Sequence, residues 1–220
     1  MRKEKKLLKN LCHAGLDPAS QRFRLGGRND TMNKTKHTAN CIYELAIFSR
    51  MKRVGFQILG NGDDSIGEHS YMTAVISYFL AKQLKLDIGK VLVMALFHDS
   101  HETRTGDAHK LSLKYITRDQ EKANSDMFGA VDEELVTLLR EYEEKKTLEA
   151  RVVFEANVIA LLVRLKPLAE RGDAHAQRWL LNKSRIRIPE AVELTESLLS
   201  TDSQDWWSYV QKELEEEFKR

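Results

Sequence analysis

The stretch that decides the fold is ALFHDSHETRTGD, residues 95–107, together with the apolar run KVLVMALF that leads into it at residues 90–97. The run is apolar on almost every side of a helix, which indicates a helix buried within a core. The sequence turns polar abruptly at His98. Because buried polar groups are costly unless they are paired or bound to a metal, this boundary indicates a functional site inside a helical protein.

The polar cluster offers the donor types of a divalent-metal site. His98 and Asp99 are adjacent, and an imidazole nitrogen with a carboxylate oxygen suits a transition metal such as Mn, Co, Ni, Zn or Fe. Glu102 follows one helical turn after His98, where a general acid or base belongs. Asp107 follows a glycine that permits a turn back toward the cluster, and His69 can supply a second imidazole from another helix. For each residue alone, a hydrogen-bonded role in the core is the commoner explanation.

Outward from this stretch, composition and periodicity predict an all-α protein. Only 11 Gly and 3 Pro occur among 220 residues of which 31% are charged, a balance typical of packed amphipathic helices. Helical spacing predicts about eight to ten helices and no convincing strand. The clearest patterns cover residues 41–54, 68–84 and 148–172, the second of them with Asp64 or Ser65 as its predicted cap. We therefore expect a single globular domain, a helical bundle over residues 32–220.

Residues 1–31 differ from the rest of the chain. They contain eight Lys or Arg and three acidic residues, so they carry a formal charge of +5 while the remainder carries −3. Turn-forming residues are scattered through them and no period is sustained. This pattern predicts a basic, disordered or misassigned N-terminal extension, with Met32 as an alternative start. A nucleic-acid-binding arm is the less favoured interpretation.

The net charge and the cysteine content limit which cellular compartment and which classes of partner we expect. The chain has 35 basic and 33 acidic residues, and a net charge of +2 does not by itself indicate a nucleic-acid partner. Cys12 and Cys41 form no CxxC pair, which favours reduced thiols in a cytoplasm. The sequence shows neither an export signal nor an apolar run of about 18 residues. We expect a cytoplasmic protein that binds neither nucleic acid nor membrane.

Two motifs together carry a family resemblance. The segments EHSYMTA (68–74) and HDSHETRTGD (98–107) resemble the HD-domain metal-dependent phosphohydrolases, and HDxxE followed by GD is most similar to their 5′-deoxynucleotidase-like branch. The resemblance implies an all-α HD-domain bundle, a homodimer, and one divalent metal ion held by His69, His98 and Asp99. It also implies that Glu102 positions or activates water and that Asp107 supports the site or binds substrate.

The segment MKRVGF, residues 51–56, is similar to the one that precedes the first metal-binding His in this branch. By this similarity Arg53 would pair with a phosphate in a bidentate manner, and Phe56 would contact a sugar or base. A surface cation and a core aromatic residue are equally compatible with the sequence. Arg104, within the second motif, is a further candidate for a phosphate contact.

The sequence departs from the family at one position. The family completes its metal site with an Asp on a later helix, and the corresponding stretch EANVI (155–159) has Asn157 in that place. A neutral amide oxygen can ligate a metal but lacks the carboxylate charge. We therefore expect Asn157 to act as a weaker ligand or to reduce activity. Glu155 lies about 200° around the helix from Asn157 and is a poor substitute.

The resemblance implies a 5′-nucleotidase that hydrolyses (deoxy)nucleoside 5′-monophosphates to nucleoside and phosphate. The metal would be Mn, Co, Ni, Zn, Fe or Mg, and the sequence has no phosphate-binding GxxxxGK[ST] loop and no Ser or Cys nucleophile motif. Two alternatives remain open. One is an HD-fold hydrolase of nucleoside di- or triphosphates or of another small phosphoester. The other is a metal-poor protein that binds a nucleotide as a sensor and does not turn it over. The basis for this alternative is Asn157 in place of the family's Asp.

Overall fold

The computed structural model describes residues 34–219, and within this range the chain forms α-helices, short 3-10 helices and turns, with no β-strand. The α-helices are α1 (Lys34–Leu45), α2 (Gly55–Leu59), α3 (Ile66–Leu84), α4 (Ile88–Phe97), α5 (Glu102–Thr105), α6 (Gln120–Phe128), α7 (Glu133–Glu144), α8 (Leu148–Glu170), α9 (Ala174–Trp179), α10 (Pro189–Ser200) and α11 (Ser208–Phe218). The 3-10 helices are Ala46–Ser49, Ser112–Lys114, Leu180–Arg185 and Asp205–Trp207. The predicted all-α class is confirmed.

Two sequence-based expectations concern the N-terminal extension and the absence of a membrane-spanning helix. The predicted basic extension, residues 1–31, and the alternative start at Met32 both lie outside the described residues. Between residues 34 and 219, no helix combines the length and the apolar composition needed to cross a bilayer. The described residues all belong to one compact unit.

Helix α8 lies at the centre of the fold. It is 23 residues long and packs against α3, α4, α7, α9 and α10. Its apolar side chains are buried on most sides, and Val152, Val153, Ile159 and Leu165 have no exposed surface. Because α3 also packs along α4, these two helices and α8 enclose the main core. The candidate ligands of the predicted metal site lie on or next to these three helices.

The predicted helix over residues 41–54 is wrong in its second half. Helix α1 ends at Leu45, and residues 51–53 pair with the loop that precedes α3. The backbone N–H of Ile66 donates to the Met51 carbonyl, and the N–H of Arg53 donates to the Asp64 carbonyl, each at 2.9 Å. These long-range bonds replace the helical ones, and an apolar period along the sequence cannot reveal them.

Ser65 caps the start of α3, and it is one of the two caps that the sequence predicts. Its Oγ accepts a hydrogen bond from the backbone N–H of Glu68 at 3.1 Å, and Glu68 Oε2 accepts one from the N–H of Ser65 at 2.9 Å. This reciprocal pair is a capping box, which satisfies amides that the first turn leaves free. His69 lies in the same turn, since its N–H donates to the Ser65 carbonyl at 3.0 Å. The cap therefore fixes the backbone that carries a candidate metal ligand.

Replacing Ser65 with Ala is expected to lower the free energy of unfolding by about 0.5–2 kcal/mol, because a first-turn amide loses its side-chain acceptor. Urea or thermal unfolding of the full chain measures this change. The matched control is Ser197→Ala at an exposed position within α10, with an expected change below about 0.5 kcal/mol. A loss of stability no greater than that of the control would contradict the capping role.

Candidate metal centre

Three candidate ligands converge where α4 ends beside the start of α3. Helix α4 stops at Phe97, and His98 and Asp99 lie in the turn that follows. His69 lies in the first turn of α3. One ligand atom from each of His69, His98 and Asp99 is within 4.8 Å of the other two. Both imidazoles are buried and the carboxylate is half-buried, so the geometry brings together the three residues that the motifs single out.

His98 directs a free nitrogen toward this point. Its Nδ1 lies 2.8 Å from the Ala95 carbonyl oxygen, and because a carbonyl only accepts, Nδ1 carries a proton, which leaves the lone pair of the neutral ring on Nε2. The Nε2 atom is buried without a hydrogen-bond partner and lies 3.1 Å from Asp99 Oδ2. A buried lone pair next to a carboxylate fits a divalent cation held between them.

His69 is oriented by Arg53. The guanidinium Nη1 donates to His69 Nδ1 at 3.1 Å, and Arg53 is in turn 3.5 Å from Asp64 Oδ2. Burial lowers the pKa of His69 well below its usual value, and the Arg53 charge lowers the pKa further, so the imidazole is neutral. Its Nε2 lies 3.9 Å from Asp99 Oδ2 and has no hydrogen-bond partner. Neutral imidazole is the form that ligates metals.

Asn157, on α8, lines the same cavity as Asp99. Its Nδ2 donates a hydrogen bond to the Tyr142 hydroxyl at 3.2 Å. Tyr142 is buried, and its ring packs edge-on against His98 with ring centroids 5.5 Å apart. Because the amide nitrogen is engaged, Oδ1 is the Asn157 atom that remains for a cation. Two imidazoles, one carboxylate and one amide would place a single negative charge around it.

Glu102, the predicted general acid or base, lines the cavity. Its Oε1 accepts a hydrogen bond from Arg118 Nη1 at 3.2 Å, while Oε2 is buried without a partner. Burial raises the pKa of Glu102 well above its usual range, and repulsion from Asp99 and Asp107 raises it further. Both effects favour the protonated form of the Glu102 carboxyl.

Asp107 is turned back toward the site by Gly106, as the sequence predicts. Gly106 has a φ of +73°, in the left-handed region that favours glycine. Asp107 Oδ2 accepts the backbone N–H of Val54 at 2.7 Å. Arg118 Nη1 donates to the Gly106 carbonyl at 3.0 Å as well as to Glu102. One guanidinium thus fixes both the turn and the Glu102 carboxyl.

The three predicted substrate-binding residues have different surroundings. Arg53 lines the cavity. Phe56 also borders it, but its ring is buried in a cluster with Leu165 and other apolar residues, so it is a core aromatic residue. Arg104 does not line the cavity, because its Nε and Nη2 donate to the two carboxylate oxygens of Glu44 at 2.7 and 2.8 Å. This bidentate pair ties α5 to α1, and the geometry does not support a phosphate contact for Arg104.

Sequence reasoning missed several residues of this site. Arg118 and Gln120 lie beyond the recognised motif, and only their place after the GD turn could have suggested them. Gln120 Nε2 lies 2.8 Å from Nε2 of His101. His101 is buried, and in the sequence it lies between the candidate ligand Asp99 and Glu102. Burial lowers the pKa of His101 to about 4, so this imidazole is neutral. The segment 118–120 therefore supports both His101 and Glu102.

The cavity beside the ligands has a volume of about 510 Å³, within the range of small-molecule sites. Its lining includes Asp99, Glu102, Asp107, Arg53 and Asn157. A cavity of this size places a cation site, an acid and an arginine around one ligand. The arrangement can bind an anion and move a proton on it.

The described part of the protein is all-helical and contains a candidate metal centre. Two buried His and a half-buried Asp form this centre, with a buried Glu close to them in the sequence. A family model described as the HD domain matches residues 49–190. The chain belongs to the HD-domain family, and this part of the resemblance is confirmed. The 5′-deoxynucleotidase-like branch, the homodimer and the cytoplasmic location remain predictions.

Solved structures of similar fold come from archaea and bacteria. A conserved hypothetical protein from Pyrococcus furiosus has a TM-score of 0.63 at 25% identity, over 73% of this chain and 98% of its own. A protein from Pyrococcus horikoshii OT3 has a TM-score of 0.62 at 25% identity over the same shares. A protein described as a predicted metal-dependent phosphohydrolase, from Magnetospirillum magnetotacticum MS-1, shares the fold at 20% identity, with a TM-score of 0.56 over 76% of this chain and 93% of its own. No curated protein matches the sequence.

Proposed function

We propose that the protein is a metal-dependent phosphohydrolase that converts nucleoside 5′-monophosphates to nucleoside and phosphate. The observation that carries the proposal is the pair of buried, unpartnered Nε2 atoms of His69 and His98 beside Asp99. The description of the Magnetospirillum protein supports the reaction class. Similarity of HDxxE and GD to the 5′-deoxynucleotidase-like branch supports the substrate.

The residues present fit one divalent cation. His69, His98 and Asp99 would hold it, with Asn157 Oδ1 as a further, neutral donor. When bound, the cation supplies positive charge that lowers the pKa of water and neutralises charge on phosphate oxygens. Imidazole and carboxylate donors suit Mn, Co, Ni, Zn and Fe, and Mg is disfavoured by two imidazoles.

Glu102 manages the proton in the proposed reaction. The oxygen of water forms a bond to phosphorus, the bond between phosphorus and the sugar O5′ breaks, and O5′ receives a proton. Glu102 Oε2 has no partner in the cavity, so it can donate its proton to the leaving oxygen and then receive the proton that the attacking water releases. Arg118 holds the other carboxyl oxygen and so fixes the direction of Oε2.

Arg53 links the ligands to the phosphate. A guanidinium only donates, so its contact with His69 Nδ1 requires the ring proton to be on Nε2. A cation held by Nε2 would require the ring proton to be on Nδ1, where it would oppose the Arg53 N–H groups, and Arg53 would then be available to an anionic ligand in the cavity. Asp64, 3.5 Å from Arg53, keeps the guanidinium near its place.

One observation favours a second candidate function, a nucleotide sensor without turnover. The candidate ligand set has a single carboxylate, and Asn157 is already hydrogen-bonded to Tyr142. Lower ligand charge weakens cation binding, so the cavity would then bind a nucleotide with little metal present. Phosphate release separates the two candidates.

The proposal is tested by phosphate release from a panel of ribo- and deoxyribonucleoside mono-, di- and triphosphates. Metal-stripped protein is assayed alone and with added Mn, Co, Ni, Zn or Mg. We expect metal-dependent, selective hydrolysis of monophosphates. Asn157→Asp adds a carboxylate to the ligand set, so it is expected to tighten cation binding by at least about tenfold, measured by calorimetry.

Asn182→Asp is the matched control, since Asn182 lines the cavity but is not one of the candidate ligands. It is expected to leave the cation affinity near that of the unmodified chain. Release from triphosphates but not monophosphates would replace the proposed substrate. No release with any metal, together with a rise in melting temperature on adding nucleotide, would replace the enzyme by the sensor.

A further inference from the structure

Three cations line the cavity away from the metal ligands: Lys145 at the end of α7, Arg178 on α9, and Arg185 in the following 3-10 helix. We call these residues the basic rim. Within residues 34–219, none of them has a carboxylate oxygen within 4.0 Å. Arg118, by contrast, is paired with Glu102. The basic rim therefore presents charge that no carboxylate of the described residues neutralises by direct pairing.

Two of these charges are held against one aromatic ring. Lys145 Nζ lies 4.9 Å from the centroid of the Phe154 ring, and the Arg185 guanidinium carbon lies 5.1 Å from the same centroid. Cation–π contact fixes the positions of both side chains without neutralising them. Two like charges near one ring repel each other, and an anion close to them lowers the energy of that repulsion.

The basic rim is close to the candidate metal centre. Phe154 and Asn157 are three residues apart on α8 and both line the cavity. Residues at this spacing share a helix face and are about 4.5 Å apart along the axis. A ligand with one end at the candidate metal centre can therefore place another of its groups at the basic rim.

The charge of this part of the cavity is positive. Glu143 also lines it, but it is a single carboxylate against three cations. Burial raises the pKa of Glu143, while the charge of Lys145 lowers it. Lys110 lines the same cavity and also has no carboxylate within 4.0 Å among the described residues.

We propose that the basic rim binds a second phosphoryl group, so that a nucleotide with two phosphoryl groups binds more tightly than the 5′-monophosphate of the proposed function. This inference rests on the proposed function, since the first phosphoryl group is the one placed at the metal centre. The second group is carried either by the sugar, as in a nucleoside 3′,5′-bisphosphate, or by the first phosphate, as in a diphosphate. Both sources offer the same chemistry to the two arginines and the lysine.

The test measures binding separately from turnover. Calorimetry with Mn²⁺ and the full chain carrying Glu102→Gln compares AMP, ADP and adenosine 3′,5′-bisphosphate. We expect at least one two-phosphate ligand to bind about tenfold or more tightly than AMP, since the second phosphate gains charge-assisted hydrogen bonds. The ligand with the larger gain identifies where the second group is attached.

A triple variant then tests the three cations. Lys145→Gln, Arg178→Gln and Arg185→Gln together are expected to reduce the advantage of the two-phosphate ligand over AMP to less than about threefold. The control combines Arg50→Gln, Arg151→Gln and Lys212→Gln, which remove the same side-chain types from exposed positions outside the cavity. The control variant is expected to keep the advantage. Melting temperatures establish that both variants fold.

The outcomes separate this inference from the proposed function. If AMP is hydrolysed but all three ligands bind equally, the inference is wrong and the proposed function stands. If a two-phosphate ligand binds tightly through the basic rim but no phosphate is released from any nucleotide, the proposed function is wrong and the inference stands. An advantage that survives in the triple variant also overturns the inference.

Discussion

Replacing Glu102 with Gln is expected to lower kcat for phosphate release by about 10²- to 10⁴-fold, the usual contribution of a positioned general acid or base. Gln has nearly the same shape and can accept the Arg118 hydrogen bond, so the cavity is retained. It cannot exchange the proton that the proposed reaction requires. Steady-state phosphate release with the preferred metal measures the effect.

Glu155→Gln is the matched control for this variant. Glu155 is also buried, but its Oε2 accepts the backbone N–H of Ile188 at 2.9 Å, and it does not line the cavity. Its replacement is expected to leave kcat near the value of the unmodified chain. If Glu102→Gln kept full activity while it still bound metal, Glu102 would have no role in proton transfer, and another group would have to supply it.

Replacing His98 with Ala is expected to cost more cation affinity than the 10–100-fold typical of losing an outer partner of a metal ligand, because it removes a ligand itself. Phosphate release should fall to background. His98 Nε2 is one of two unpartnered buried nitrogens beside Asp99, so a cation has no equivalent donor to replace it. Metal content after dialysis and calorimetric titration with Mn²⁺ measure the loss independently of activity.

His175→Ala controls for the removal of an imidazole, because His175 is exposed on α9. This control is expected to bind the cation as the unmodified chain does. The His98→Ala variant also loses the hydrogen bond to Ala95 and the contact with Tyr142, so its melting temperature is compared in the metal-free state. Full metal occupancy in a folded His98→Ala protein would place the cation elsewhere.

Much of the helical architecture could be predicted from the sequence, since it depends on neighbours a few residues apart. Helix α3 begins directly after Ser65 because a short side chain can satisfy the amides of the next turn, which is a local requirement. Residues 51–53 could not be predicted in the same way. Their backbone partners, Asp64 and Ile66, are selected by the packing of the whole chain.

The residues of the candidate site also fall into two groups, those that the sequence could predict and those that depend on the tertiary structure. His98, Asp99 and Glu102 are close in sequence, so their spacing alone is enough to indicate a site. The sequence offers Arg104 as the nearest basic residue, but the structure pairs it with Glu44 on α1. Arg118 reaches Glu102 instead, because the chain turns at Gly106 and brings the loop back to the site.

By itself, the sequence determined the all-α class and the family motifs. It also indicated His98, Asp99 and Glu102 as residues of the candidate site. Helix periodicity and short motifs act over a few residues, so no tertiary contact is needed to recognise them. Only the tertiary structure decided which cations meet the cavity: Arg53, Arg118 and the basic rim face it, while Arg104 does not. The physical reason is that these side chains come from segments far apart in the chain. Their contacts depend on how α8 packs against its neighbours, which no local pattern determines.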